Sequence, residues 1–143
     1  MYALIVNHDY MVKLTQYKNT DLGLFLVRLG IGLVFIIHGW MKLSDMTGTL
    51  SFFVDMLHVG AFWAYLVAWV EFLGGLSMLL GVWTYWTGVI LAINMVFAIV
   101  LVKVGKGFAG GYEFDLLLLL ASLAIATVGP GKYTAESVLP KKG

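Results

Sequence analysis

The sequence predicts an all-α integral membrane protein, a bundle of four transmembrane helices in one domain. Hydrophobic residues make up 61% of the 143 residues and charged residues only 12%, a composition that excludes an ordinary soluble globular domain. Four apolar stretches are each long enough to cross a bilayer, which takes about 20 residues per helix. They occupy more than half of the chain, so no room remains for a separate soluble domain.

Charge and cysteine content exclude several functions. The net charge is only +1, and the lysines lie in termini and loops instead of forming one patch, so nucleic acid is not an expected partner. The chain has no cysteine, which excludes disulfides, iron–sulfur ligation and thiolate zinc sites. A single intramembrane histidine cannot supply bis-histidine haem ligation. Any redox chemistry therefore needs a bound cofactor or a partner subunit.

The N-terminal residues 1–22 mix short apolar pieces with charged residues. They have no apolar core leading to a cleavage site, so they are not expected to be a signal peptide. We predict an amphipathic arm on the membrane surface or against a partner, with a disordered tail as the alternative. The first span is predicted from Gly23 to Met41, with capping oxygens from Asn19, Thr20 and Asp21.

The next elements follow from polar breaks between apolar stretches. After a polar connector, Ser51 to His58 reads as a short amphipathic helix, too short to span and suited to the interface. The second span is predicted from Ala61 to Trp83. A link at Thr84 to Trp86 is so short that it allows only an antiparallel third span, which continues to Val102.

A glycine-rich break and a second stop signal define the fourth span. Gly105 to Gly111 reads GKGFAGG, and clustered glycines favour a turn. The fourth span is predicted from Tyr112 to Val128, ending at Gly129-Pro130-Gly131. The predicted transmembrane domain therefore covers residues 23–131, and residues 132–143 form a C-terminal tail.

Lysines in the short loops predict the orientation. An even number of spans puts both termini on one side, and lysines are enriched on the cytoplasmic side of membrane proteins. The terminal side carries five lysines and the other side three: Lys13, Lys18, Lys132, Lys141 and Lys142 against Lys42, Lys103 and Lys106. We therefore expect both termini in the cytoplasm.

Three polar residues are predicted to form a layer within the membrane. With a rise of about 1.5 Å per residue, Arg28, Asn94 and Glu71 fall at neighbouring depths. A charge inside hydrocarbon costs roughly 2.5 to 3.5 kcal/mol on insertion scales, so Arg28 and Glu71 are expected to pair. The pair could fix helix order or contact a cofactor, and Asn94 could join helices or bind a ligand.

A second polar layer is predicted beneath the GKGFAGG segment. His38 lies near the end of span 1, Lys42 shares its helix face four residues on, and Glu113 and Asp115 open span 4. An imidazole beside carboxylates is suited to proton exchange near neutral pH. Glu113 could instead be only a first-turn residue at the interface. A metal site of His38, Glu113 and Asp115 is geometrically possible, but we do not expect one.

Small residues on spans 1 and 2 are predicted to pack closely against neighbouring helices, because glycines allow helices to approach closely in membranes. These are Gly30, Gly32, Gly39, Gly74, Gly75 and Gly81.

An ordered set of residues on the four spans resembles the DoxX family of small bacterial and archaeal membrane proteins. The set is Arg28, Gly32, Phe35, His38-Gly39, Lys42-Leu43, Glu71-x-x-Gly74-Gly75, Gly110-Gly111-x-Glu113 and Gly129-Pro130-Gly131. The resemblance covers Asp21 to Tyr133 and implies a four-helix bundle in the cytoplasmic membrane, linked to membrane oxidoreductase systems. One branch is a thiosulfate:quinone oxidoreductase. Lys103 departs from the family pattern, since it stands near where many members carry a histidine.

The resulting leading hypothesis is a subunit of a quinone-linked membrane oxidoreductase. His38 or Arg28 would donate to a quinone carbonyl, Glu113 or Asp115 would relay protons, and Lys42, Glu71 and Asn94 would contact the cofactor.

Two other classes of function stay open. The first is a non-catalytic structural or assembly subunit of a respiratory or photosynthetic-type complex. The second is a transporter or proton channel, which would need oligomerisation because one four-helix bundle has little interior. The expected partners are membrane lipid, other membrane subunits or a second copy, and a lipophilic quinone.

Overall fold

The computed structural model describes residues 19–137, and in this part of the chain every regular element is helical. Four helices are long and apolar enough to cross a membrane: span 1 (Thr20–Ser44), span 2 (Ala61–Leu80), span 3 (Thr84–Lys106) and span 4 (Phe108–Val128). The predicted all-α membrane fold with four spans is confirmed. The predicted N-terminal arm lies almost wholly outside the described residues, as does the end of the tail.

Span 1 is longer than predicted at both ends. The Asn19 side chain accepts a hydrogen bond from the backbone N–H of Leu22 at 3.0 Å, so the helix begins at Thr20, inside the predicted arm. It ends at Ser44. The Asp45 carboxylate then accepts from the Gly48 N–H at 3.0 Å and starts the next helix.

A short helix is present between spans 1 and 2 as predicted, but it begins at Met46 and ends at Met56, whereas Ser51 to His58 was predicted. It comprises an α-helical part, Met46–Ser51, and a wider π-helical turn, Phe52–Met56. We call these two parts together the connecting helix. Phe53 is buried, whereas the next three residues, which include the apolar Val54 and Met56, are exposed.

The turn between spans 2 and 3 lies three residues earlier than predicted. Gly81 takes a left-handed conformation (φ 74°) and closes span 2, and Trp83 is also left-handed (φ 49°). Thr84 already begins span 3. The prediction was wrong because the apolar Val82 and Trp83 read as helix, whereas a left-handed glycine is a common helix terminator.

The glycine-rich segment breaks the helix as predicted. Span 3 passes from an α-helix (Thr84–Ala98) into a π-helical turn (Ile99–Lys103), whereas the start of span 4 is kinked, with non-helical backbone at Ala109 and Gly110, before its α-helix at Glu113–Val128. Gly107 (φ 79°) separates them. We call this end of the bundle, which includes the connecting helix, the loop end; the opposite end is the terminal end.

Glycines bring spans 1 and 2 into backbone contact. A Cβ atom at Gly39 would lie 2.7 Å from Phe72 Cα, and one at Gly75 would lie 2.8 Å from the Gly32 carbonyl oxygen. Only a glycine fits at such distances. Gly30 has no atom within 4 Å of that position, so the prediction that it packs between helices was wrong.

The bundle consists of two closely packed pairs, spans 1 and 2 and spans 3 and 4, which meet through spans 2 and 3 and, less extensively, through spans 1 and 4. In the second pair, a Cβ at Gly88 would lie 2.6 Å from the Ser122 carbonyl oxygen. Between the pairs lies an apolar core of Ile31, Phe35, Met78, Leu91, Met95, Leu118 and Ile125. Most other large apolar side chains face outward, as expected for a surface in contact with lipid.

Candidate functional site

A cavity of about 230 Å³ lies at the loop end, between the two helix pairs. All four spans and the connecting helix contribute to its walls, which are mostly apolar and include Phe35, Phe52, Phe53, Phe97 and Phe114. The polar residues that line it are His38, Lys42, Glu71, Asn94, Lys103 and Asp115. Apolar walls with a few convergent polar groups are typical of small-molecule sites. The volume lies just below the roughly 300 Å³ lower end of such sites, so the cavity suits one small ring system.

Glu71 is the centre of the first polar group in the cavity. One of its carboxylate oxygens forms an ion pair with Lys42 Nζ, and the other accepts a hydrogen bond from Asn94 Nδ2 at 3.1 Å. The Glu71 side chain is 6% exposed and that of Lys42 is 25% exposed. We call these three residues the Glu71 cluster. It joins spans 1, 2 and 3, and each of its charges has a partner of opposite sign.

Asp115 and Lys103 form the second polar group, which we call the Asp115 pair. Lys103 Nζ lies 3.0 Å from Asp115 Oδ2, and the two side chains are 34% and 10% exposed. At that distance the Lys103 ammonium supplies the donor that the buried Oδ2 needs. The Asp115 pair therefore balances its own charge and joins the end of span 3 to the start of span 4.

His38 lies at the edge of the cavity. Its Nδ1 is 2.9 Å from the Val34 carbonyl oxygen, and because a carbonyl only accepts, Nδ1 must be the donor. In the neutral ring this leaves Nε2 as an acceptor. His38 is an exposed residue of span 1, so its ring reaches both the cavity and the outer surface of the bundle.

Arg28 does not pair with Glu71, so that prediction was wrong. Its guanidinium is fully buried and donates to the carbonyl oxygens of Met78, at 3.4 Å, and Tyr133. Met78 belongs to the last turn of span 2, where free carbonyls and the helix dipole favour a cation. Arg28 therefore lies toward the terminal end, anchors the chain after span 4, and does not line the cavity.

Glu113 is separated from the residues with which it was grouped. It is exposed, its Oε1 accepts from the Gly110 N–H at 2.9 Å, and it does not line the cavity. The predicted cluster of His38, Lys42, Glu113 and Asp115 is thus divided, since Lys42 pairs with Glu71. Among residues 19–137, no three His, Asp or Glu side chains are grouped closely enough to hold a metal ion.

Lys103 is the cavity residue that the sequence interpretation missed. In the sequence it counted only as a loop lysine and as a departure from the family's histidine. The signal that could have identified it is the turn at Gly107, because a tight antiparallel connection brings the end of span 3 back against the start of span 4. The charges of Lys103 and Asp115 then meet.

Comparisons with known proteins agree with the resemblance noted in the sequence. The sequence model of the DoxX family matches residues 23–104. The chain is 38% identical over 112 residues to a Bacillus subtilis protein named "Putative oxidoreductase CatD", covering 78% of this chain and 83% of that protein. It is 30% identical over 130 residues to the inner membrane protein YqjF of Escherichia coli, covering 87% of this chain and 98% of that protein. It is also 34% identical over 131 residues to an uncharacterized membrane protein of Mycobacterium tuberculosis, covering 81% of this chain and 80% of that protein. No solved structure matches the chain.

Proposed function

The chain belongs to the DoxX family of membrane proteins, and on that premise we propose that it is a subunit of a membrane oxidoreductase that binds a lipophilic quinone in the loop-end cavity. The observation that carries the proposal is the cavity itself, whose walls are apolar and aromatic and whose polar groups lie in two places. The name of the Bacillus subtilis relative supports the oxidoreductase part.

The residues present fit a quinone ring. Five phenylalanines supply flat apolar surface at the cavity walls. Lys42, Lys103 and Asn94 carry N–H donors that suit carbonyl oxygens. A bound quinone supplies two-electron chemistry coupled to the uptake of two protons.

The chain's own residues would bind and orient the ring and exchange protons with it. In this proposal the Glu71 cluster fixes one side of the ring, and the Asp115 pair and His38 exchange protons near the loop end. Arg28 and Glu113 have no part in the site. Because the chain has no cysteine, the electrons come from a partner subunit or a reduced substrate. Cytoplasmic termini, as predicted from the lysines, would place the cavity toward the far side of the membrane.

One observation favours a second function, a non-catalytic subunit of a larger membrane complex. The Glu71 cluster satisfies both oxygens of its carboxylate within the protein, as a purely structural ion pair would. Under this alternative the polar residues fix the order of the helices, and the cavity binds no ligand of its own.

A binding experiment with two variants separates the alternatives. Ala98 lines the cavity, so Ala98→Phe fills it, whereas Val100 lies outward two residues further along span 3 and Val100→Phe is the matched control. Each protein is reconstituted in nanodiscs and titrated with a short-tailed benzoquinone and a short-tailed naphthoquinone. The quinone proposal expects binding by the wild type and by Val100→Phe, and its loss in Ala98→Phe with thermal stability retained.

Two results would count against the quinone proposal. The first is the absence of saturable binding in the wild type, which would favour the structural function. The second is equal binding by Ala98→Phe and Val100→Phe, which would place any quinone site outside this cavity.

A further inference from the structure

Among the described residues that line the loop-end cavity, His38 is the one ionisable residue that is not part of an ion pair. We infer that its Nε2 contacts the ligand and that the charge of its ring determines which redox form the cavity prefers. The neutral ring binds a hydroquinone more tightly than the corresponding quinone, and protonation of the ring removes that preference. This inference rests on the proposed quinone site and adds to it the atom that distinguishes the two forms of the ligand.

The first step is the state of the imidazole. His38 Nδ1 lies 2.9 Å from the Val34 carbonyl oxygen, and because a carbonyl only accepts, Nδ1 carries a proton in both the neutral and the charged ring. Nε2 is therefore the nitrogen left for a ligand. It is an acceptor in the neutral ring and a donor in the charged ring. The Val34 carbonyl thus holds the ring in one orientation while Nε2 changes from acceptor to donor.

The second step is that the other charged residues of the cavity are paired with one another. Lys42 of span 1 pairs with Glu71 of span 2, and Lys103 of span 3 pairs with Asp115 of span 4. Protonating either carboxylate would leave a lysine charge in the cavity without its partner, which is costly where the pair is buried. His38 is therefore the cavity residue whose charge can change without breaking an ion pair.

The third step is the position of the ring. His38 lines the cavity and is also exposed, about 9 Å before the end of span 1, so it can contact a ligand and exchange a proton with the surroundings. The connecting helix and the residue after it add only apolar side chains to the cavity: Phe52, Phe53 and Leu57. The charged residue of that helix, Asp55, is exposed and lies outside the cavity walls.

The fourth step is the difference between the two ligand forms. A quinone carbonyl only accepts, so it forms no hydrogen bond with Nε2 of the neutral ring but accepts one from Nε2–H of the charged ring. A hydroquinone hydroxyl donates to the neutral ring, and its oxygen accepts from the charged ring. Protonation therefore gives the quinone a hydrogen bond that it lacked, whereas the hydroquinone has one in either state. A hydrogen bond to a charged group raises affinity about tenfold or more.

The test compares three ligands with the same ring and tail: a short-tailed benzoquinone, its hydroquinone kept reduced under anaerobic conditions, and the alkylbenzene that lacks both oxygens. Each is titrated into the reconstituted wild type between about pH 5 and pH 8, the range in which an imidazole changes its charge. We expect the quinone to bind about tenfold more tightly at the lower pH, the hydroquinone to change by less than about threefold, and the alkylbenzene to show no change. This comparison needs no variant, so it does not depend on how a mutant folds.

Two variants then locate the effect. His38→Gln offers an amide that both donates and accepts and does not titrate, so we expect the effect of pH on quinone affinity to fall to about onefold. His58→Asn removes an imidazole from an exposed residue that does not line the cavity, and the effect should be retained. Asparagine suits that position because His58 has a left-handed backbone (φ 55°). Calorimetry in two buffers of different ionisation enthalpy, at about pH 6.5, should show proton uptake on quinone binding in the wild type and none in His38→Gln.

Three results would overturn the inference. Saturable quinone binding with the same affinity at every pH would mean that Nε2 does not contact the ligand, while the quinone site itself would stand. An unchanged effect of pH in His38→Gln would assign the selection to another residue. Absence of saturable binding for both the quinone and the hydroquinone would overturn the proposed function together with this inference.

Discussion

Glu71→Leu should be the most destabilising single change in the cavity. The substitution leaves the Lys42 ammonium and the Asn94 amide without their shared acceptor. Removing one partner of a buried ion pair costs about 3 to 5 kcal/mol. Lys42 is 25% exposed and its long side chain can move its charge toward the interface, which favours the lower end. Loss of the Asn94 hydrogen bond adds about 0.6 kcal/mol, the average in a membrane protein. We expect a total loss of about 3 to 4 kcal/mol.

The double variant Lys42→Met/Glu71→Leu distinguishes the effect of breaking the ion pair from the effect of placing leucine at position 71. It removes both charges and replaces them with apolar groups, which is often neutral or stabilising for a buried ion pair. We expect its stability to lie within about 1 kcal/mol of the wild type, with only Asn94 left unpaired. Lys42→Met alone leaves the buried Glu71 carboxylate without its cation and should cost about 3 kcal/mol, so the coupling energy between the two sites would be about 5 to 6 kcal/mol.

Reversible unfolding in mixed micelles measures both the stability lost in Glu71→Leu and the coupling energy between Lys42 and Glu71. The fraction of SDS is raised stepwise, unfolding is followed by tryptophan fluorescence and circular dichroism, and the four proteins of the double-mutant cycle are compared. Glu71→Gln serves as a milder change, since it keeps an acceptor for Asn94. If the double variant were as unstable as the sum of the two single variants, with a coupling energy below about 0.5 kcal/mol, the ion pair would not have the role assigned to it.

Two further predictions concern the helix contacts. Gly39→Ala should lower the free energy of unfolding by about 1 to 3 kcal/mol, because its Cβ would lie 2.7 Å from Phe72 Cα. Gly30→Ala is the control: no atom lies within 4 Å of its Cβ position, so it should be neutral or stabilising by up to about 1 kcal/mol. Equal effects of the two substitutions in the unfolding assay would argue against backbone contact at Gly39. Arg28→Leu should speed hydrogen exchange after span 4, where the guanidinium now holds the Tyr133 carbonyl. Mass spectrometry measures that exchange, and unchanged rates would contradict the anchoring role of Arg28.

The spans were predictable because their signals are local. Apolar length, glycine breaks and the Asn19 cap each act within a few residues, and all four spans were identified. The errors at helix ends have local causes too. Span 2 ends at Gly81, because a left-handed glycine stops a helix even when apolar residues follow it.

The pairing of polar side chains was less predictable because depth does not determine direction around the helix axis. Arg28 and Glu71 were placed at neighbouring depths, yet Arg28 contacts the last turn of span 2 and Glu71 contacts Lys42. A lysine side chain is also long enough to contact residues about one helical turn away. Lys42 therefore pairs with Glu71 and not with the predicted group of His38, Glu113 and Asp115. The contact of Asn94 with Glu71 did follow the predicted layer.

The backbone contact between spans 1 and 2 also fixes their vertical alignment. Where Gly32 and Gly75 meet, the neighbouring positions carry side chains, so sliding one helix along the other would force a side chain into a space that admits none. A slip of one turn would shift the helices by about 5.4 Å, more than the reach of an ion pair. Lys42 and Glu71 lie on these same two helices. The glycines therefore fix the vertical alignment of the two helices. In doing so they keep the charges of Lys42 and Glu71 at the same depth without contacting either side chain.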